Sequence, residues 1–204
     1  MNAVTTHFEQ AAQAWDQRPI SQQLGAVATH VLRHIPFTEH DHVLDFGAGT
    51  GLLATAIAPH VARVTALDTS TTMLQMLDAK GVTNITALQH DMLADWPSHR
   101  CGHHVVVSCM AMHHVADTAA LMQVFARTLY RGGHIALVDL YEEDGSFHGD
   151  NAAMGVHHSG FVPDVLQRQA QQAGLTDIQF HEILHIQHRN GRAYPLFLMT
   201  GSKP

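Results

Sequence analysis

The chain has 204 residues, 46% of them hydrophobic and 14% charged, and 11 basic against 18 acidic side chains give a net charge of −7 with histidine neutral. That length suits one domain, 1–204, with enough apolar side chain for a real core, which excludes a disordered or collagen-like chain. The acidic balance gives no general attraction to phosphate backbones, so no nucleic-acid partner is expected.

Two N-terminal helices are expected in residues 1–36. Phe8, Ala11, Ala12 and Trp15 recur at helical spacing, and Pro19 ends that segment or opens the next. Leu24, Val27, Ala28, Val31 and Leu32 mark a second amphipathic helix that stops near Pro36.

From residue 42 short apolar runs alternate with helical segments. Strands are expected at Val43–Phe46, Val61–Leu67, Ile85–Leu88, Val105–Cys109 and His134–Leu140. The fourth is a continuous β-branched run of the kind buried on both faces. Helices are expected from near Gly51, over Ser70–Lys80 with Ser70 as N-cap and Gly81 as C-cap, over Ala119–Tyr130, and over Val165–Ala173. Asp177–His188 and Arg192–Thr200 read as two strands around Arg189-Asn190-Gly191, where Asn-Gly signals a hairpin. Strands alternating with helices imply an α/β fold with a parallel sheet and right-handed crossovers, into which the hairpin places one antiparallel strand. Tyr141–Pro163 has no period. It follows the fifth strand at the carboxyl edge of the sheet, where such sheets bind ligands, so 141–163 is expected to be a substrate-side loop.

Cys101 and Cys109 form neither a CxxC pair nor a disulfide framework, as in a reduced, intracellular chain. The N-terminus lacks a basic stretch followed by an apolar one, and no apolar run approaches the ~18 residues of a membrane helix. A cytoplasmic protein with no membrane partner is therefore expected. Nineteen histidines stand beside two lysines, Lys80 and Lys203, so net charge should depend steeply on pH below about 6.5.

The most informative segment is Val43-Leu44-Asp45-Phe46-Gly47-Ala48-Gly49-Thr50-Gly51-Leu52-Leu53. A strand runs into three alternate glycines and a helix begins at once. Glycines permit a tight turn and close approach of backbone to ligand, and the helix start adds free N–H groups and partial positive charge. Asp68 closes the second strand, placed to accept hydrogen bonds from ribose hydroxyls. No G-K-[ST] follows, which excludes a P-loop.

V-L-D-F-G-A-G-T-G resembles the first motif of class I S-adenosylmethionine-dependent methyltransferases. Ala66-Leu67-Asp68-Thr69-Ser70 with Met73-Leu74 resembles the second. His90-Asp91-Met92 resembles the segment after strand three, and Val105–Val115 the fourth-strand motif of the small-molecule, type 11 group. Leu129-Tyr130-Arg131-Gly132-Gly133 resembles the turn into strand five. The resemblance implies a Rossmann-like, doubly wound, seven-stranded sheet, with the tail hairpin as strands six and seven. It implies S-adenosyl-L-methionine as cofactor. Gly47, Ala48, Gly49 and Gly51 would meet its methionine part, with Asp45 near its amino group and Asp68 on the ribose diol. Thr69 and Met73 would line the adenine pocket, Asp91 and Met92 would reach the adenine edge, and Cys109 would lie under the sulfonium. Phe8, Trp15 and Arg18 would face the site from a helical lid.

Methyl transfer is an in-line displacement that needs alignment, and a protic nucleophile gains from a general base. The candidate bases are His113 and His114 after the fourth strand, and His148 and His157 in the long loop. A metal held by His148, Asp150, His157 and His158 is the competing use of that loop, and no metal site is assigned. The expected function is methyl transfer to an O, S, N or C nucleophile of a small molecule, by a monomer or homodimer. The alternatives are a protein or RNA methyltransferase on the same fold and a non-catalytic binding protein. Ser108-Cys109-Met110-Ala111 stands where base-methylating enzymes carry an N/D-P-P-Y/F motif, and the absent third glycine of GxGxxG speaks against a nicotinamide-dependent oxidoreductase.

Overall fold

The computed structural model describes residues 11–204, apart from the His99 side chain. The expected contribution of Phe8 lies outside the described residues. Seven strands, β1 His42–Phe46, β2 Arg63–Asp68, β3 Ile85–Gln89, β4 His103–Cys109, β5 Leu129–Leu140, β6 Thr176–Gln187 and β7 Ala193–Ser202, form one sheet in the order β3-β2-β1-β4-β5-β7-β6. The first five run parallel, and β7 pairs antiparallel with both β5 and β6. The helices are α1 Pro19–Leu24, α2 Val27–His34, α3 Leu52–Ile57, α4 Thr71–Asp78, α5 Thr118–Thr128 and α6 Pro163–Gln172.

Alternate residues of a strand point to opposite faces, and the two cores follow that rule. Val43, Val64, Val105, Val107 and Val138 pack with Val27 and Val31 of α2 and with Leu53 and Ile57 of α3. Leu44, Leu67, Val106, Ile135 and Leu137 pack on the other face with Leu121 and Phe125 of α5 and Leu166 of α6. Val105, Val106 and Val107 are all buried, so β4 is covered on both sides. Each such side chain contributes about 1.5–3 kcal/mol of burial, which is why the central strands fix the register.

The N-terminal segment departs from its helical period. Ala12–Gln17 is a 3₁₀ turn with no side-chain N-cap. Asp16 bonds sideways, accepting from the Thr50 hydroxyl and pairing with Lys80 at 2.7 Å. The helix expected across Leu24 and Leu32 breaks between α1 and α2 at Gly25, a residue that costs a helix interior about 1 kcal/mol against alanine. Ser70 caps α4, its hydroxyl accepting from the Met73 N–H, and Gly81 follows with φ +68°.

Helix α5 stops short of Tyr130. Leu129 turns extended and pairs with His103, so β5 begins there rather than at His134. The hairpin between β6 and β7 uses Arg189–Gly191, with the Gly191 N–H donating to the His188 carbonyl at 2.9 Å. Only Gly191 has positive φ there, +81°, so the reversal is a type I turn closed by a left-handed glycine instead of a two-residue Asn-Gly turn.

The segment from Tyr141 to Val162 is tied down rather than loose. Tyr141 and Phe161 form a bridge, and the Glu143 carboxylate accepts from the Ser146 and Phe147 N–H groups. Phe147 is buried against Tyr194 of β7, whose hydroxyl lies 2.6 Å from Ser146 Oγ.

Candidate functional site

A cleft of about 560 Å³ opens at the carboxyl ends of β1, β2 and β4. Its floor is Asp45 to Thr50, Asp68, Thr69, Met73, Asp91, Met92, Cys109, Met110 and Ala111. Trp15, Gly25, Val27 and Ala28 wall it from the N-terminal side, and His114 and His157 reach it from the far side. Every residue expected at the cofactor lines it except Gly51.

The three loop glycines share positive φ, at +67°, +54° and +78°, but differ in what they leave room for. A Cβ on Gly47 would overlap Ala111 Cβ, and one on Gly51 would overlap the Leu77 side chain of α4. Gly49 faces open space within the cleft. So Gly47 and Gly51 bring neighbouring elements close, and Gly49 clears volume for a ligand. Gly51 starts α3 by packing on Leu77 of α4 and is not among the residues that line the cleft.

Asp45 is 1% exposed, and its Oδ2 has no hydrogen-bond partner. Burial, reinforced by the charge of Asp68, pushes its carboxyl up to about 8. Asp68 is occupied on both oxygens, Oδ2 accepting from Gly49 N–H and Oδ1 from Ser70 N–H, each at 2.8 Å. Burial raises its carboxyl too, and those backbone donors oppose the shift. Its oxygens keep further lone pairs for a ligand's hydroxyls. A cleft with an unpartnered buried carboxylate oxygen, an acid beside a glycine loop, and apolar Met73 and Met92 fits a ligand with a cationic end and a ribose.

Strand β4 ends in an uncommon conformation. Met110 has φ +56°, rare for a non-glycine residue, while its N–H donates to the Val138 carbonyl at 2.9 Å. Ser108 Oγ donates to the Phe46 carbonyl at 3.0 Å, which locks β4 to β1 beneath the cleft. Burial pushes the Cys109 thiol well above its ordinary range, so it is an inert wall.

The four candidate histidines separate. His114 and the exposed His157 line the cleft; His113 and His148 do not. His113 is 1% exposed, and its Nδ1 donates to Asp139 Oδ1 at 2.7 Å. Asp139 also accepts from the His113 and Leu140 N–H groups. Burial holds the His114 imidazole down at about 4 and the His148 imidazole at about 3, so both are neutral at pH 7. The four side chains of the competing metal reading, His148, Asp150, His157 and His158, are not grouped together. Asp150 is exposed, and the His157 and His158 N–H groups donate to the His113 carbonyl while the His158 ring lies against the Val115 carbonyl.

Sequence reasoning passed over Met110, Thr50 and Asp16. Met110 carries no sequence signal for positive φ. Thr50 sits inside the glycine motif, but its link to Asp16 is set by where the N-terminal turn lands.

Residues 43–133 match the family model described as a methyltransferase domain. A ubiquinone biosynthesis O-methyltransferase of Xanthomonas oryzae pv. oryzae is 31% identical over 129 residues, covering 62% of this chain and 52% of that protein. The chain spans about half the length of the curated relatives it matches, 54% and 52% of the first two. Among solved structures, a chain of the complex between the Haloferax volcanii Trm112 methyltransferase activator and a methyltransferase has TM-score 0.80 at 20% identity, with 97% of each chain covered. The DhpI–SAH complex has TM-score 0.76 at 18% identity, covering 99% of this chain and 96% of the other. Residues 43–133 are thus similar to a methyltransferase domain, and the chain shares its overall fold with these solved structures.

Proposed function

We propose that the chain binds S-adenosyl-L-methionine in the β1–β2–β4 cleft and transfers its methyl group to a small molecule. The observation that carries this is the Asp45 carboxylate, buried beside the glycine loop with one oxygen unpartnered, in a cleft that also presents Asp68. The match of residues 43–133 to a methyltransferase domain and the ubiquinone-biosynthesis relative support it. When bound, the cofactor supplies an electrophilic methyl group on a cationic sulfur.

The chain's own residues hold and align. Asp45 would take the cationic end, Asp68 the ribose hydroxyls, Gly49 the close approach, and Thr69, Met73, Asp91 and Met92 the adenine. The turn at Ala12–Gln17 and the α1–α2 junction act as a lid, since Trp15, Gly25 and Val27 wall the cleft and exclude water. Residues 141–163 form the substrate side. His157 is the general base for a hydroxyl, thiol or amine acceptor, being exposed at the cleft. Its replacement by glutamine should lower kcat by about 10²–10⁴-fold with cofactor affinity unchanged.

Calorimetry with S-adenosylmethionine and S-adenosylhomocysteine on the wild type and Asp68→Asn tests the reading. Loss of the charge-assisted bonds should weaken binding at least about tenfold. A folded wild type that binds neither compound ends the proposal. Labelled-methyl transfer to a panel of phenols, thiols, amines and carboxylates then sorts the acceptors. The likeness to the chain from the Trm112 complex favours a second reading, a protein or RNA methyltransferase, in which transfer appears only once an activator protein is added.

A further inference from the structure

Beside the cleft, three histidines from two distant parts of the chain converge. His113 and His114 come from the 3₁₀ turn Met112–His114 after β4, and His148 comes from the segment after β5. One ring nitrogen from each lies within 4.8 Å of the others. The ring centroids are 4.2 Å apart for His113 and His114, and 4.7 Å for His113 and His148. Among the described residues this is the group of histidine, cysteine and acidic side chains with ligand atoms so close.

Hydrogen bonding sets which nitrogens are basic. The Asp139 carboxylate accepts from His113 Nδ1–H, so the lone pair is on His113 Nε2. That nitrogen is buried and has no hydrogen-bond partner, and neither has His148 Nδ1. His114 Nδ1 donates to the Gly155 carbonyl at 3.2 Å, which leaves its Nε2 as the basic nitrogen of the neutral ring. Buried polar atoms are normally satisfied, and two orphaned ring nitrogens in one imidazole cluster call for a shared partner. A carboxylate that fixes the tautomer of a histidine from its far nitrogen is the support that metal-ligating imidazoles use.

We propose that His113, His114 and His148 form a binding centre for one divalent transition-metal ion of the zinc class, with Asp139 positioning His113. Three imidazole nitrogens suit zinc, cobalt, nickel or copper better than magnesium or calcium. Zinc–nitrogen bonds of about 2.0–2.1 Å need ligand atoms roughly 3.4 Å apart, so the rings close slightly around the ion. Three protein ligands leave a further coordination position, the arrangement of catalytic rather than structural zinc sites. His114 belongs to both the cluster and the cleft wall, so the ion sits at the edge of the proposed substrate space. His148 is carried on the buried Phe147, so the ion also fastens the loop to β4 and β5. The centre stands whichever methyl acceptor the cleft takes.

The probe is Co²⁺, added to the chelator-treated chain and read by visible d–d absorption and by competition with a chromogenic chelator. The chelator competes away weak sites of the kind that exposed histidines, among the chain's 19, would offer. One Co²⁺ per chain with d–d absorption is expected in the wild type and in His185→Gln, whose exposed ring pairs with Glu182. His148→Gln and His114→Gln should bind at least about 100-fold more weakly, and Asp139→Asn about 10–100-fold. Far-UV circular dichroism identifies variants that fold, and His148, on the loop, is the one least tied to the sheet. Equal Co²⁺ affinity in the wild type and folded His148→Gln overturns the proposal, as does a wild type with no d–d absorption.

Discussion

Asp45 carries the sharpest electrostatic consequence. Burial disfavours the charge and pushes its carboxyl up to about 8, from an ordinary carboxyl value of 3.8. Between those values the unfolded chain releases a proton that the folded chain keeps, so apo stability falls as pH rises from about 4 to about 8. Asp45 alone adds a slope of up to about 1.4 kcal/mol per pH unit. Asp45→Asn should be flatter than wild type across that window, which thermal melts at a series of pH values will check; parallel curves would contradict it. A cationic ligand at Asp45 favours the ionised form. Cofactor binding at pH 7 should therefore release protons, seen as a buffer-dependent calorimetric enthalpy that Asp45→Asn loses. Gly47 is a steric counterpart. Gly47→Ala would set a methyl group on Ala111 at a positive φ, and should cost about 1–3 kcal/mol in denaturant unfolding together with cofactor binding.

At the scale of elements, the N-terminal turn depends on a few polar links. Asp16 joins it to Thr50 in the glycine loop and to Lys80 beyond α4. A half-exposed ion pair adds little to global stability, so Asp16→Ala should move the melting temperature only slightly. Its effect should fall on the lid: faster proteolysis within 12–24 and weaker cofactor binding, measured on the same sample. Element types were legible from periodicity, and β4 was legible from its β-branched run. Boundaries were less so. α5 gave up Leu129 and Tyr130 because pairing of Leu129 with His103 outweighed local helical spacing. The N-terminal period predicted a helix, but Asp16 bonds across the fold instead of capping one.

For the whole molecule, the two cores close on a sheet whose cleft is walled by segments distant in sequence. A ligand that binds only this closed arrangement stabilises it by about 2.7 kcal/mol at a hundredfold excess over Kd. S-adenosylhomocysteine should accordingly raise the melting temperature of the wild type and leave Asp68→Asn almost unmoved; an equal rise in both would place the ligand elsewhere. No described helix is long and apolar enough to cross a membrane, which agrees with the apolar run lengths.

The sequence by itself determined the alternation of strands and helices, the closing hairpin, the glycine loop and the acids Asp45 and Asp68. Each of these is written in local spacing and side-chain chemistry, which the chain carries before it folds. Tertiary structure decided which glycine packs and which opens, since Gly47, Gly49 and Gly51 look alike until Ala111 and Leu77 arrive beside two of them. It also decided the grouping of histidines. The sequence placed His148 with Asp150, His157 and His158, its neighbours along the chain. The fold set it beside His113 and His114 instead, because Phe147 is buried against β7 and brings the next side chain to the end of β4. Contacts between distant segments depend on how sheets and loops pack, and spacing along one chain does not encode them.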